Sequence, residues 1–394
     1  MDALNNTNNS PVTFIMLGIP GLEAQHIWIS IPFCAVYAIA LLGNCFILFL
    51  IKTERSLHAP MYFFLSMLAI NDIGMTLTTL PTMLSIFLFN IKEINFGACQ
   101  TQLFFLHNFS IMESSVLLAM AFDRFFAICN PLRYTSILTY SVIASIGVAI
   151  IVRCTVLMIP IIILLKRLSF CKINLLSHSF CFHPDVLKLA CTDTKINNLY
   201  GLFVVLSTAG IDSLFIALSY VMIIKTVLSI ASSEQRLKTF NTCVSHICVI
   251  LIFYIPMLGL SVVHRFGKNI PPLIYTLMGN VYLLIPPVLN PIIYSIKTKQ
   301  IQERLLRKLK SHSKKGDLQI SPASKMDQIM DPIDVIKYGT AWEHTGLVGV
   351  NHVGLHRFKL QREGFGYDFI DCAEQLDRAA VLHVAQILLL RYQS

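Results

Sequence analysis

Seven long stretches of sparsely charged, mostly apolar sequence constrain this chain more than any single residue does. They cover residues 27–51, 59–88, 99–129, 141–165, 199–229, 240–263 and 273–295. A helix needs about 20 apolar residues to cross the hydrocarbon layer, and it crosses alone because it satisfies its backbone hydrogen bonds internally. Hydrophobic residues make up 55% of the chain and charged residues only 13%, against roughly 25% charged in an ordinary soluble domain. One soluble core cannot hide that much apolar surface, so the expected fold is an all-α membrane protein, a bundle of seven transmembrane helices.

Met1 to Ser10 is polar and has no apolar segment behind a basic start, so the first span is expected to act as its own insertion signal. Basic residues orient the bundle. Lys52 and Arg55 follow the first span, Arg124 and Arg133 the third, and Lys225, Arg236 and Lys238 lie between the fifth and sixth; Lys297 to Lys310 carries six more after the seventh. These loops belong in the cytosol, which puts residues 1–26 outside. The loop at 166–198 is also basic and runs against the rule. Asn-x-Ser/Thr acceptors at Asn5 and Asn8 agree with an outer N-terminus, whereas a third, at Asn108, lies inside a span. The basic inner loops suit an acidic protein partner, and no nucleic acid is expected. Of eleven cysteines, Cys99, Cys171, Cys181 and Cys191 fall at or beyond the outer face. Thiols in an oxidising compartment pair, so two disulfides are expected, with three connectivities open on spacing alone. Cys243-x-x-His246 could hold copper or zinc, but helix packing is the favoured reading.

Ionisable residues within spans are costly and mark the working interior. Asp72 and Glu113 lie in the second and third spans. Two carboxylates in low dielectric need a cation between them or a shared proton. Arg153 and Asp212 lie in the fourth and fifth spans at a separation the sequence does not give; a buried structural pair or interior hydrogen bonding is the favoured reading, with direct ligand contact the alternative. Tyr254, Leu258, Ser261 and Arg265 recur at intervals of three and four in the sixth span, which places them on one helical face. Arg265 lies nine residues beyond Pro256, roughly 13 Å along the helix, near the outer mouth. His107, eight residues inward from Cys99, reaches a comparable depth. Guanidinium and imidazole converging on an apolar cavity suit a carboxylate ligand. The plainer alternative has Arg265 snorkelling to the interface and His107 packing on the second outer loop.

At the inner ends, Asp123 and Arg124 in AMAFDRFFAICNPLRY form an ion pair that can open toward a partner, a two-state element, or else anchor the helix by charge. Asn290, Pro291 and Tyr294 stand in NPIIY, and Pro256 in FYIP; prolines inside long helices free carbonyls and act as pivots. With LGIPGLEAQHIWISIPFC, GN at 43–44, LHAPMYFFLSMLAIND, SY at 219–220 and KTFNTCVSH, these words make residues 14–310 resemble a vertebrate olfactory receptor of the fish-like class I type, a rhodopsin-like G-protein-coupled receptor. GIPGLE and GLSVVHRFG resemble class I in particular. The resemblance implies disulfides between Cys99 and Cys181 and between Cys171 and Cys191, and switch roles for Asp123, Arg124, Tyr220, Asn290, Pro291 and Tyr294. Phe125 replaces the tyrosine of many receptors. It also implies a sodium ion at Asp72 and Glu113, with Asn44 and Asn290 nearby, as an allosteric modulator, and no other cofactor. The partners it implies are a small odorant, a carboxylic acid among the choices, a stimulatory olfactory-type G protein that raises cAMP, and membrane lipid.

Residues 296–310 are expected to form a short basic amphipathic helix, and 311–394 an atypical cytoplasmic tail. Ala379 to Leu390 is too short to span a membrane, and no motif marks the tail. A metabolite-sensing receptor outside the nose remains an alternative. A transporter would show a repeated half and an enzyme a convergent catalytic set; neither is visible.

Overall fold

The computed structural model describes residues 13–22, 25–170, 174–267 and 271–297. Its helices are α1 (His26–Thr53), α2 (Pro60–Phe87), α3 (Phe96–Cys129), a single turn α4 (Tyr134–Ile137), α5 (Tyr140–Lys166), the short α6 (His183–Leu187), α7 (Lys195–Val205), α8 (Ile211–Leu228), α9 (Ser233–Phe266) and α10 (Pro272–Lys297). α7 and α8 continue each other through a π turn at Leu206–Gly210, so seven long helical rods result among the described residues. All seven expected spans are present, most with ends moved by one to four residues; α9 begins seven residues earlier than its apolar stretch. Local chemistry sets several starts. Asn95 accepts from the Ala98 amide at 2.7 Å ahead of α3, Thr139 caps α5, Ser232 caps α9, and Pro60 opens α2, where its missing N–H costs nothing.

Six of the rods are apolar enough to cross a membrane by composition alone; α3 is the exception. It contacts α2, α5, α8 and α9, so it has little lipid-facing surface and can bury Gln102, Asn108, Glu113, Ser114 and Asp123. The outer rods instead expose Ile27, Val148, Leu199 and Ile255, the faces a bilayer covers. Gly74 lets α2 and α3 approach closely: a β-carbon there would lie 2.3 Å from the ring of Phe109.

We call the end bearing the disulfide outer, following the asymmetry of the basic loops. A small sheet closes it. β1 (Thr13–Met16) lies between β2 (Glu93–Asn95), antiparallel with Phe14 opposite Ile94, and β3 (Leu175–Leu176), parallel with Ile15 opposite Leu175. Phe14 and Met16 point inward while Ile15 is exposed, the alternation of a half-buried strand.

Candidate functional site

The cavity is built from the disulfide downward. Cys99, in the first turn of α3, is bonded to Cys181, and the Cys181 amide donates to Gln102 Oε1 at 2.9 Å. Gln102 in turn donates to Thr82 Oγ1 at 2.6 Å. The next two residues, Phe182 and His183, must therefore lie over the bundle, where they roof a cavity of about 80 Å³. Phe182 stacks on His107 with ring centroids 5.5 Å apart, and His183 meets His107 edge-on at 6.5 Å. His183 seats against Gly201, where a β-carbon would lie 3.0 Å from its ring. Burial, then the charges of His107 and Arg265, pushes His183 down to about 3.

His107, Ser261 and Arg265 all line this cavity, as their positions in the third and sixth spans lead one to expect. Arg265 Nη1 reaches only the Ser261 carbonyl, at 3.4 Å, and forms no ion pair among the described residues. His107 Nδ1 lies 2.9 Å from the Leu103 carbonyl; a carbonyl only accepts, so Nδ1 carries a proton and Nε2 is left for the cavity.

Two expected ligand residues are placed elsewhere. Leu258 is 40% exposed on the outside of the bundle, and Tyr254 lies below the cavity with its hydroxyl 2.8 Å from Ser114 Oγ. The reason is rotation: spacing tells which residues share a face, and the cavity-facing side of α9 carries Phe253, Met257, Leu260 and Ser261, about one residue behind the expected stripe. Ser110, Ser114 and Tyr282 also line the cavity without having been singled out, Ser110 being hydrogen-bonded to Tyr282 across the bundle. His183 was legible in principle, two residues beyond a cysteine tied to α3.

Under the floor, Arg153 and Asp212 pair at 2.9 Å. Ser114 donates to Asp212 Oδ2 at 2.8 Å, and Arg153 also donates to Ser115 Oγ and to the Ser207 carbonyl at 2.8 Å. That carbonyl belongs to the π turn, where the Ile211 amide bonds Leu206 and Thr208 and passes over Ser207. Above the roof, Asp185 accepts from the Ser177 amide at 2.5 Å and from His178 at 3.1 Å. Its burial favours protonation, but the His178 bond and the charges of His178, Lys188 and His264 together hold it below the usual carboxylate range. His178 stacks on His264 at 5.1 Å. An outer chamber of about 250 Å³, lined by Lys188, Thr194, His264 and Arg265, adjoins the cavity at His183.

Deeper in the bundle, Asn290 Nδ2 donates to both oxygens of Asp72, at 3.3 and 3.0 Å, and lies within reach of Glu113. Glu113 Oε1 and Asn290 Oδ1 are buried with no hydrogen-bond partner among the described residues. These oxygens fit a hard cation such as sodium. Asn44, by contrast, commits its amide to the Ala40 and Pro287 carbonyls, each at 2.9 Å. Among the described residues no three of His, Cys, Asp and Glu gather for a metal, and His246 is hydrogen-bonded at 2.5 Å to Tyr220. At the inner end Arg124 folds onto Asp123 through Nε, at 2.9 Å, and Nη2. Tyr134 donates to the other Asp123 oxygen at 2.8 Å. Tyr294 is fully buried beside Met120, and Pro291 packs its ring against Gly43. Cys191 is disulfide-bonded; Cys171, its expected partner, lies outside the described residues, as do Asn5, Asn8 and residues 298–394.

An olfactory receptor family profile matches residues 33–312. The chain belongs to the olfactory receptor family. Among similar proteins, human olfactory receptor 51F2 is 56% identical over 315 residues, covering 80% of this chain and 92% of that one. Human olfactory receptor 51G2 is 58% identical over 301 residues, 76% and 96% of the two chains. Mouse olfactory receptor 51E2 is 52% identical over 307 residues, 78% and 96%. These relatives are consistent with the class I resemblance. The fold is that of rhodopsin: the crystal structure of squid rhodopsin aligns with a TM-score of 0.60 at 16% identity, over 79% of this chain and 98% of that one. The protein is thus a seven-helix G-protein-coupled receptor of the plasma membrane and not an enzyme; its family implies an odorant ligand and coupling to a G protein.

Proposed function

We propose that this olfactory receptor senses small carboxylic acids in the cavity between α3 and α9 and signals through a stimulatory olfactory-type G protein that raises cAMP. The observation that carries the reading is Arg265, a guanidinium on the cavity wall with no acidic partner among the described residues. A carboxylate supplies the missing charge through two parallel hydrogen bonds, and Ser261 and His107 offer further polar atoms beside it. The apolar tail then lies against Phe253, Met257 and Leu260. Size supports a short ligand: about 80 Å³ is roughly half of an engineered cavity of about 150 Å³ that holds benzene. The outer chamber, with Lys188 and Arg265 on its walls, gives an anion a route in. A sodium ion held by Asp72, Glu113 and Asn290 would modulate the bundle from below, and Arg124, released from Asp123, would receive the G protein.

The test is a cAMP assay in transfected cells against straight-chain acids of two to six carbons, with alcohols, aldehydes and ketones of matched length. Arg265 stands exposed at the cavity mouth, so its loss costs toward the lower end of the about 2 to 5 kcal/mol seen when one partner of a desolvated charge pair is removed. Arg265→Ala therefore shifts acid potency more than tenfold, while Arg265→Lys, a point charge without the planar fork, recovers only part. Arg124→Ala silences the response at matched surface level. An activating ketone or alcohol whose potency ignores Arg265→Ala would overturn the acid site.

A further inference from the structure

The outer end of α5 breaks the charge rule that orients the rest of the bundle. Lys166 and Arg167 close this helix on the outer side, both exposed, and Lys166 makes no ion pair among the described residues. Beside Lys166, α3 and α5 part to leave an open groove of about 450 Å³. Its upper wall is polar, with Gln100, Thr101 and Lys166, and its lower wall is apolar, with Phe104, Ile159 and Ile162. Ile159 and Ile163, on the same stretch, are exposed, so the groove opens sideways toward the bilayer rather than into the ligand cavity. Gln100 is 8% exposed, yet its Nε2 has no hydrogen-bond partner among the described residues. Thr101 donates to the Gly97 carbonyl at 3.0 Å, which leaves its oxygen lone pairs and not its proton.

An uncompensated cation, an orphaned amide donor and an apolar floor, in that order from the surface inward, describe the complement of an amphiphile with an acidic head. From Lys166 to Ile159 is seven residues, roughly 10 Å along the helix, which is the step from headgroup level into the acyl chains. We propose that this groove holds one phospholipid of the outer leaflet, its phosphodiester on Lys166 and within reach of a reoriented Gln100 amide, and one acyl chain along Phe104, Ile159 and Ile162. A sterol hydroxyl could serve Gln100 but would leave Lys166 without a counter-charge. Because Gln100 adjoins Cys99, the lipid braces the end of α3 from which the disulfide holds the cavity roof.

The experiment uses the full-length receptor in nanodiscs of phosphatidylcholine, phosphatidylglycerol and cholesterol, released for native mass spectrometry. One phospholipid is expected to survive activation that strips the rest. Lys166→Met lowers that one-lipid population at least tenfold. Ile162→Trp, which fills the groove and leaves the charge, does the same, and Lys195→Met, at another outer lysine, does not. All variants are first checked for the Cys99–Cys181 bridge by unreduced peptide mapping. Retention unchanged by both groove variants, retention of cholesterol in place of phospholipid, or no retained lipid would each overturn the site.

Discussion

His107 in its neutral form has nothing to give a carboxylate. Its one ring proton is spent on the Leu103 carbonyl, so the nitrogen left for the cavity is an acceptor until a second proton arrives. A ligand that engages His107 as well as Arg265 therefore binds with one more proton than the bare carboxylate, its own or one that the imidazole takes up from water as the anion docks. Either route links binding to proton uptake, so acid potency should fall by up to about tenfold per unit of rising pH, and His107→Gln should flatten the profile. A concentration–response series between pH 6 and 8 checks this, with a pH-independent potency in the unaltered receptor as the contrary result. His183 makes a separate prediction about the roof. Its folded-state value of about 3 lies below the ordinary 6.5, so the folded loop resists protonation. That contribution is complete above pH 6.5 and is lost as pH falls toward 3, at about 1.4 kcal/mol per unit. Asp185, held below the usual carboxylate range, stays ionised over most of that window and does not mask the effect. Backbone amides of residues 177–188 should thus lose about tenfold in hydrogen-exchange protection between pH 7 and 5.5, after correction for intrinsic rates, and His183→Gln should remove the change. Equal protection at both pH values would contradict the assignment.

The π turn between α7 and α8 is where one element depends on another for a backbone partner. An extra residue in the helical ladder leaves the Ser207 carbonyl to be met from outside, and Arg153 of α5 meets it while pairing with Asp212. Arg153→Ala would strand both groups. Breaking a buried pair from one side costs about 3 to 5 kcal/mol, and the partial exposure of Arg153 argues for the lower end. Thermal unfolding in detergent should show a clear drop for Arg153→Ala, and Arg153→Leu combined with Asp212→Leu should recover more than half of it, since an apolar pair of similar volume replaces a desolvated charge pair with little loss. A double variant as unstable as the single one would argue against the pairing as the cause. The sequence made Arg153 and Asp212 visible as intramembrane ions but left their separation open, because distance depends on how two rods are rotated about their axes. The same missing rotation displaced Tyr254 and Leu258 from the cavity. Hydropathy measures how much of a helix is apolar, and in α9 apolar residues occur on the lipid side, at Ile255 and Leu258, as well as on the cavity side.

At the scale of the whole receptor, the seven rods were legible because each carries its own signal of length and apolarity, and even polar α3 could be placed by its position in the series. The outer sheet was not. β1 is four residues long, and its partners are remote in sequence, so neither propensity nor periodicity announces it. The Cys99–Cys181 bridge followed from resemblance, and it closes a loop with a sequence separation of 82. By chain entropy such a bridge stabilises by about 4 to 5 kcal/mol. Cys99→Ser should therefore lower surface expression severalfold and abolish ligand response in the receptor that does arrive, as read by surface labelling and cAMP; full response at matched surface level would contradict the bridge as anchor of the roof. The sheet also imposes an order of events. β1 pairs with β3 through Ile15 and Leu175, so the strand made first waits for a partner 160 residues downstream. At about 5 to 20 residues per second of synthesis, that wait lasts roughly 8 to 32 s. Through that interval at least one edge of β1 is unpaired, and the ribosome's pace, more than the stability of the finished bundle, decides how long the start of the chain stays open to whatever meets it first.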